Sequence, residues 1–182
     1  LFRSENLLKT TSEQMGGIDI LVNNAGITRD NLFMRMSDEE WQDVLDVNLT
    51  ATRKLCKGFV RGMMKNRWGR IINISSVVGT TGNPGQANYA ASKAALSTWA
   101  RSLALAVGPE GKRVNVLAPG YVDTDILAGD SDEKRNQRIQ EVPLKRIGTG
   151  DDMASIVSFL LSSDAAYITG SVLHANGGLY LP

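Results

Sequence analysis

The sequence predicts an α/β protein: a parallel sheet sandwiched by helices. Short apolar runs rich in branched residues alternate with longer helical patterns, and turns of glycine and asparagine follow the runs. An uninterrupted apolar run reads as a strand buried on both faces, and strand–helix alternation makes such strands parallel.

The elements follow in chain order. Glu5 to Met15 reads as a helix stopped by Gly16-Gly17. Ile18 to Val22 is an apolar strand with a doubly buried pattern, closed by Asn23, Asn24, Ala25 and Gly26. Ser37, with Glu40 three residues later, makes a capping box. It opens a long helix to about Lys65, interrupted around Asn48. Arg70 to Ser75 is a strand of β-branched residues, and Thr80 to Gln86 is a Gly/Pro loop. Asn88 to Val107 is a helix whose alanines, among them Ala90, Ala91, Ala94 and Ala95, point to close packing against a neighbour. Gly108-Pro109 ends it. Arg113 to Leu117 is the third strand, and Ala118-Pro119-Gly120 turns the chain out of it. Asp123 to Glu141 is charged and reads as a mobile loop with a short helix, a lid over a cleft. Asp151 to Leu161 is a helix with acidic residues in its first turn. Ser171 to Ala175 is the last strand, followed by Asn176-Gly177-Gly178.

Composition excludes several classes. The 182 residues, 42% hydrophobic and 21% charged, are the make-up of one ordinary globular domain. A net charge of +1, from 20 basic and 19 acidic residues, gives no reason to expect nucleic acid or an anionic membrane as partner. No apolar run approaches the ~20 residues that span a bilayer, and no secretory signal is expected. A single cysteine, Cys56, cannot form an intramolecular disulfide and reads as core packing. His174 lies in an apolar run without a second ligand, so it reads as structural and no metal is expected.

In a parallel sheet, ligands bind beyond the carboxyl ends of the strands. Asn23–Gly26, Ser75–Gly79, Ala118–Gly120 and Asn176–Gly178 all fall there, which favours a ligand that approaches the backbone closely. Tyr89 and Lys93 are four apart on one helix and share a face. An ammonium beside a phenol favours the phenolate, so the pair predicts a tyrosine of lowered pKa that exchanges a proton near neutrality. Alone, a Tyr-x-x-x-Lys spacing recurs by chance. Ser76 strengthens it: thirteen residues before Tyr89, at a strand's carboxyl end, its hydroxyl can hold a carbonyl oxygen while the tyrosine protonates it.

These residues carry a resemblance. NNAG at 23–26, Asn48 in DVNL, Ser76 in ISSVVG, YAASK at 89–93 and PGYVDT at 119–124 resemble the short-chain dehydrogenase/reductase family in order and spacing, over the whole chain. RIINISSVVGTTGNPGQANYAASK and AAYITGSVLHANGG are similar to the 3-oxoacyl-[acyl-carrier-protein] reductases within it.

The resemblance implies a Rossmann-like fold and a catalytic tetrad. Tyr89 would donate the proton in reduction. Lys93 would lower its pKa and bind the nicotinamide ribose. Ser76 would polarise the substrate carbonyl. Asn48 would distort its helix and hold a water linking Lys93 to solvent. Asn24, Ala25 and Gly26 would line the adenosine side of the cofactor, Pro119, Gly120, Val122 and Thr124 would border its nicotinamide end, and Asn48, Tyr89 and Lys93 would also contribute to cofactor binding. The implied cofactor is NADPH, with NAD(H) as the alternative. The implied reaction reduces a 3-oxoacyl thioester to its 3-hydroxyacyl form in fatty acid biosynthesis. Another carbonyl or alcohol, such as acetoacetyl-CoA, a sugar or a steroid, is the runner-up. Arg67 matches a basic position that helps dock the acyl carrier protein, whereas Glu110 stands at a second such position. The resemblance further implies a homodimer or homotetramer through the long helices, in the bacterial cytoplasm or an organelle.

One family feature is not found. Gly79, Gly82 and Gly85 do not make the glycine-rich phosphate turn, and Gly16-Gly17 precede a strand rather than follow one. With Leu1 rather than Met at its start, residues 1–182 are expected to be a single partial domain lacking the N-terminal glycine-rich portion and showing little activity alone. The competing expectation is a non-catalytic remnant serving as an oligomerisation module. The segment that selects NAD or NADP is also absent from these residues, and so is the family's first strand, without which Ile18 to Val22 is expected to be an exposed apolar edge.

Overall fold

The computed structural model describes residues 2–182. Helix α1 spans Phe2–Met15, strand β1 Ile20–Asn23, helix α2 Asp38–Leu45 and helix α3 Ala51–Asn66. Strand β2 is Gly69–Ile74, α4 Val78–Thr81, α5 Ala87–Val107 and β3 Lys112–Pro119. Helix α6 covers Asp132–Glu141, α7 Gly150–Leu161, and strand β4 Val172–Ala175. The strands form one parallel sheet in the order β1-β2-β3-β4, with Val22 opposite Ile72, Ile71 opposite Val114 and Leu117 opposite Leu173.

Alternation along β2 sends successive side chains to opposite faces. Ile71 joins Cys56, Phe59 and Met63 of α3 and Ala100 and Ala104 of α5 in one core. Ile72 joins Leu160 of α7 and Ala165 in the other. Both isoleucines are fully buried, each contributing roughly 1.5–3 kcal/mol of transfer free energy. The centre of the sheet is thus covered on both faces, as expected. The Cys56 thiol is sealed in the first core, and burial pushes it up to about 12.

Three expectations meet the structure as follows. First, strand β1 is the exposed apolar edge expected of it: Leu21 is covered, but Ile20 and Val22 are 43% and 40% exposed. Among the described residues β1 is an edge of the sheet, so one of its faces and one row of its backbone groups have no neighbour. Second, the Gly/Pro loop begins with a short helix, α4, which intrinsic propensity disfavours. Packing on α5 overrides it, because a Cβ on Gly79 would stand 2.9 Å from the Lys93 carbonyl carbon and the Ala94 nitrogen. Third, the lid helix α6 is tied down. Asp123 pairs with Arg135 through two contacts of 3.0 Å, Asp130 with Lys134 and Arg138, and the Tyr121 hydroxyl donates to Glu141.

The capping box at Ser37 and Glu40 is present in full. The interruption expected near Asn48 is a π-helical turn at Asp46–Thr50 between α2 and α3, a form that clusters at functional sites.

Candidate active site

Parallel pairing stacks the carboxyl ends of β1, β2 and β3 side by side. The register continues past the strands: Ser75 N–H donates to Leu117 O at 2.7 Å and Val77 N–H to Pro119 O at 2.8 Å. Ser76 is therefore fixed between the end of β2 and the Pro119–Gly120 turn. Its hydroxyl accepts from Val78 N–H at 3.2 Å, which leaves its own hydrogen as the group it can offer to a carbonyl oxygen.

Asn48 sits in the π-helical turn, 1% exposed. Its Oδ1 accepts from Ile27 N–H at 2.8 Å, and its Nδ2 donates to Ile27 O and to Ser92 Oγ, both at 3.1 Å. Ser92 in turn donates to Tyr89 O at 2.7 Å. The turn after β1, the π-helical turn and α5 are thereby stitched together. The Asn48 carbonyl accepts from the Thr52 hydroxyl at 3.2 Å.

Lys93 is 3% exposed. Its Nζ donates to Ile74 O at 2.8 Å and lies 5.5 Å from the centroid of the Tyr89 ring. Burial pushes its pKa down to about 8. A Cβ on Gly26 would stand 3.3 Å from Lys93 Nζ and 3.4 Å from Asn48 Oδ1, so the bare glycine packs closely over both groups where a side chain would crowd them.

Burial pushes the Tyr89 phenol above its ordinary value. The neighbouring Ser76 hydroxyl pulls it down, and the Asp30 carboxylate pushes it further up. This corrects the expected lowering by Lys93. The ammonium is turned toward the Ile74 carbonyl, and the loss of water around the phenol outweighs its pull. Asp30 is held opposite α5 by Gln86 Nε2, which donates to both carboxylate oxygens at 2.9 and 3.1 Å.

The remaining sequence candidates divide into three groups. Asn24, Ala25 and Gly26 lie exposed beyond β1. Pro119 ends β3 and Gly120 follows it, where a Cβ on Gly120 would meet Asn176 Cα at 2.8 Å. Val122 continues from them into a parallel bridge with Gly148, and the Thr124 hydroxyl donates to Val122 O at 3.4 Å. Arg67 is not part of this assembly. It caps α3 in a left-handed conformation, at the opposite end of the sheet, just before β2 begins. A cavity of about 730 Å³ opens beyond the turn, lined by Tyr121, Leu144, Met153, His174 and Tyr180 among others, and none of Tyr89, Lys93, Ser76 and Asn48 lines it. Among the described residues, no three His, Cys, Asp or Glu side chains gather as a metal site, and no helix is long and apolar enough to cross a membrane.

Sequence reasoning missed Ser92, Asp30 and the Ile27 and Ile74 backbone groups. Only Ser92 left a signal: it lies three residues after Tyr89 on the same helix face, inside YAASK.

Comparison with known proteins follows the same lines. A family profile described as enoyl-(acyl carrier protein) reductase matches residues 3–180. The 3-oxoacyl-[acyl-carrier-protein] reductase FabG of Vibrio cholerae is 53% identical over 97% of this chain and 72% of its own length. FabG of Haemophilus influenzae is 55% identical over 97% of this chain and 73% of its own. FabG of Escherichia coli K12 is 52% identical over 97% and 72%.

Proposed function

The chain belongs to the short-chain dehydrogenase/reductase family, and from that membership we propose that it reduces the ketone of a 3-oxoacyl thioester carried on acyl carrier protein to the 3-hydroxyacyl form. The observation that carries this reading is the convergence of Tyr89, Ser76 and Lys93 at the carboxyl end of β2.

The residues present fit a nicotinamide dinucleotide. Lys93 Nζ uses one of its three hydrogens on Ile74 O, leaving two for ribose hydroxyls. A side chain on Gly26 would crowd Lys93 Nζ and Asn48 Oδ1, and Asn24 and Ala25 offer open backbone beyond β1. Pro119, Gly120, Val122 and Thr124 would border the nicotinamide. The bound cofactor supplies a hydride to the carbonyl carbon. NADPH is taken from the reductase resemblance, with NADH as the alternative.

The chain's own residues handle the oxygen. Ser76 donates a hydrogen bond to the ketone. Tyr89, whose burial keeps it protonated at neutral pH, passes its proton to the oxygen as charge gathers there. The Lys93 ammonium then stabilises the phenolate left behind. Asn48 holds Ile27 and Ser92, and through them the spacing between the turn after β1 and α5.

Arg67 is exposed, in keeping with a carrier-docking role, and Glu110 lies in the turn directly before β3. Leu105 of α5 is 81% exposed, which supports association of copies through the long helices as a dimer or tetramer. A cytoplasmic or organellar setting follows from the same reading.

Loss of NADPH absorbance with an acetoacetyl thioester tests the proposal. Turnover of a 2-enoyl thioester instead, the substrate class named in the family profile, would move the reaction from a ketone to an alkene. Turnover undiminished in Tyr89→Phe would remove the mechanism.

A further inference from the structure

We propose that Ser75 is a positioning residue for the proton-donating pair, with Ser97 as its support. The proposal rests on the reductase reading and concerns how the end of β2 sets Lys93.

Three consecutive residues serve that helix from one strand end. Ile74 O accepts from Lys93 Nζ at 2.8 Å. The Ser75 hydroxyl donates to the Lys93 carbonyl at 2.9 Å. Ser76 presents its hydroxyl beside Tyr89. Lys93 is thus held at both its backbone and its tip by the residues that carry the substrate-binding serine. Ser75 is itself fixed to β3 through its N–H and is 3% exposed. Buried in this way, it acts through Lys93 and touches no reacting atom.

Ser97 lies one turn beyond Lys93. Its Oγ is 3.0 Å from Ser75 Oγ and 3.1 Å from the Lys93 carbonyl. A hydroxyl has one hydrogen to give. In the chain that satisfies every group, Ser97 donates to Ser75 and Ser75 donates to Lys93. If Ser75 loses its hydroxyl, Ser97 can turn and take the carbonyl itself, so the two serines back each other up. On the far side, bare Gly79 lets α4 touch α5 at Lys93. A slip of α5 along β2 would move the phenol, the ammonium and Ser76 out of step, and a displacement of ~1 Å can cost about 10²-fold in rate.

The test uses Ser75→Ala, Ser97→Ala and the double variant, with Thr149→Ala, in the distant cap of α7, as a stability control. Each single variant is expected to lose about threefold in kcat. The double variant should lose about 30-fold, more than the product of the singles, because the backup is gone. KM for the acetoacetyl thioester stays within about twofold, and Ser97→Thr, which keeps the hydroxyl, restores the wild-type rate. A second readout needs no substrate: the Lys93 Nζ titration followed by NMR. In the double variant its midpoint moves up toward lysine's ordinary range as α5 loosens and water reaches the amine. If the double variant melts earlier, like Thr149→Ala, yet keeps its kcat and its Lys93 titration, the inference is overturned. A wild-type protein inactive on 3-oxoacyl thioesters, with the Lys93 titration still moved by the double variant, overturns the reductase reading and leaves the positioning of Lys93 standing.

Discussion

The Asn48 side chain and the Ile27 backbone form a closed pair of hydrogen bonds, amide oxygen to N–H at 2.8 Å and amide nitrogen to carbonyl at 3.1 Å. A side chain here imitates one rung of a β-ladder, at a place where the π-helical turn has brought a helix against a loop.

Asn48→Ala would strip partners from Ile27 N–H, Ile27 O and Ser92 at once. Each buried group left unpaired costs about 1–3 kcal/mol. Urea unfolding should show a loss in that range or above it, and reduction should fall with it because the loop carrying Gly26 is released. Full activity in a destabilised Asn48→Ala protein would show that this stitching matters only to folding.

Lys93 gives stability a defined pH dependence. Its folded pKa of about 8 lies below lysine's ordinary value of 10.5, so the unfolded chain binds more protons between those limits. Stability therefore rises with pH from about 8 to 10.5 on this account. Above about 10, Tyr89 opposes the rise, since burial penalises its phenolate. Lys93→Met should flatten the rise, hold or increase stability at neutral pH and abolish reduction. Denaturant midpoints measured against pH decide it; an unchanged slope in the variant places the effect elsewhere.

Gly26→Ala would set a methyl group 3.3 Å from Lys93 Nζ and 3.4 Å from Asn48 Oδ1. Both groups are pinned, so neither yields easily. The expected result is NADPH affinity weakened by roughly tenfold, the equivalent of about 1.4 kcal/mol, with a smaller effect on melting. Calorimetric titration reads it directly, and wild-type affinity in the variant would mean that the turn after β1 relaxes freely.

Salt should loosen α6 selectively. The helix has no buried residue of its own and is held by ion pairs: an exposed one from Arg135 to Asp123, and two from Lys134 and the largely covered Arg138 to Asp130. At about 1 M salt the screening length falls to roughly 3 Å. Hydrogen exchange should then quicken across 132–141 and stay unchanged in β2 and β3. Uniform exchange at both salt levels would assign the hold to Leu127 and Val142, the buried residues that flank the lid.

Much of this site could be read from residue order, because it depends on local spacing. Tyr89 and Lys93 share a helix face at any tertiary arrangement, and Ser37 with Glu40 caps whatever helix follows. What escaped the sequence depends on encounters between distant segments. Helix α4 forms because Gly79 meets α5, which no property of Val78–Thr81 announces. The upward push on Tyr89 comes from burial, and a spacing rule sees only the nearby lysine. Ser75 and Ser97 are 22 residues apart and look like ordinary small polar residues until the fold joins them.

Cys56, the one thiol in the chain, lies deep between α3 and the sheet with its proton firmly held. That makes it a built-in clock. A thiol reagent can reach it only when α3 lifts from β2, so the labelling rate counts openings of the core without any engineered probe. Added cofactor should slow that clock if it ties the turn after β1 to α5.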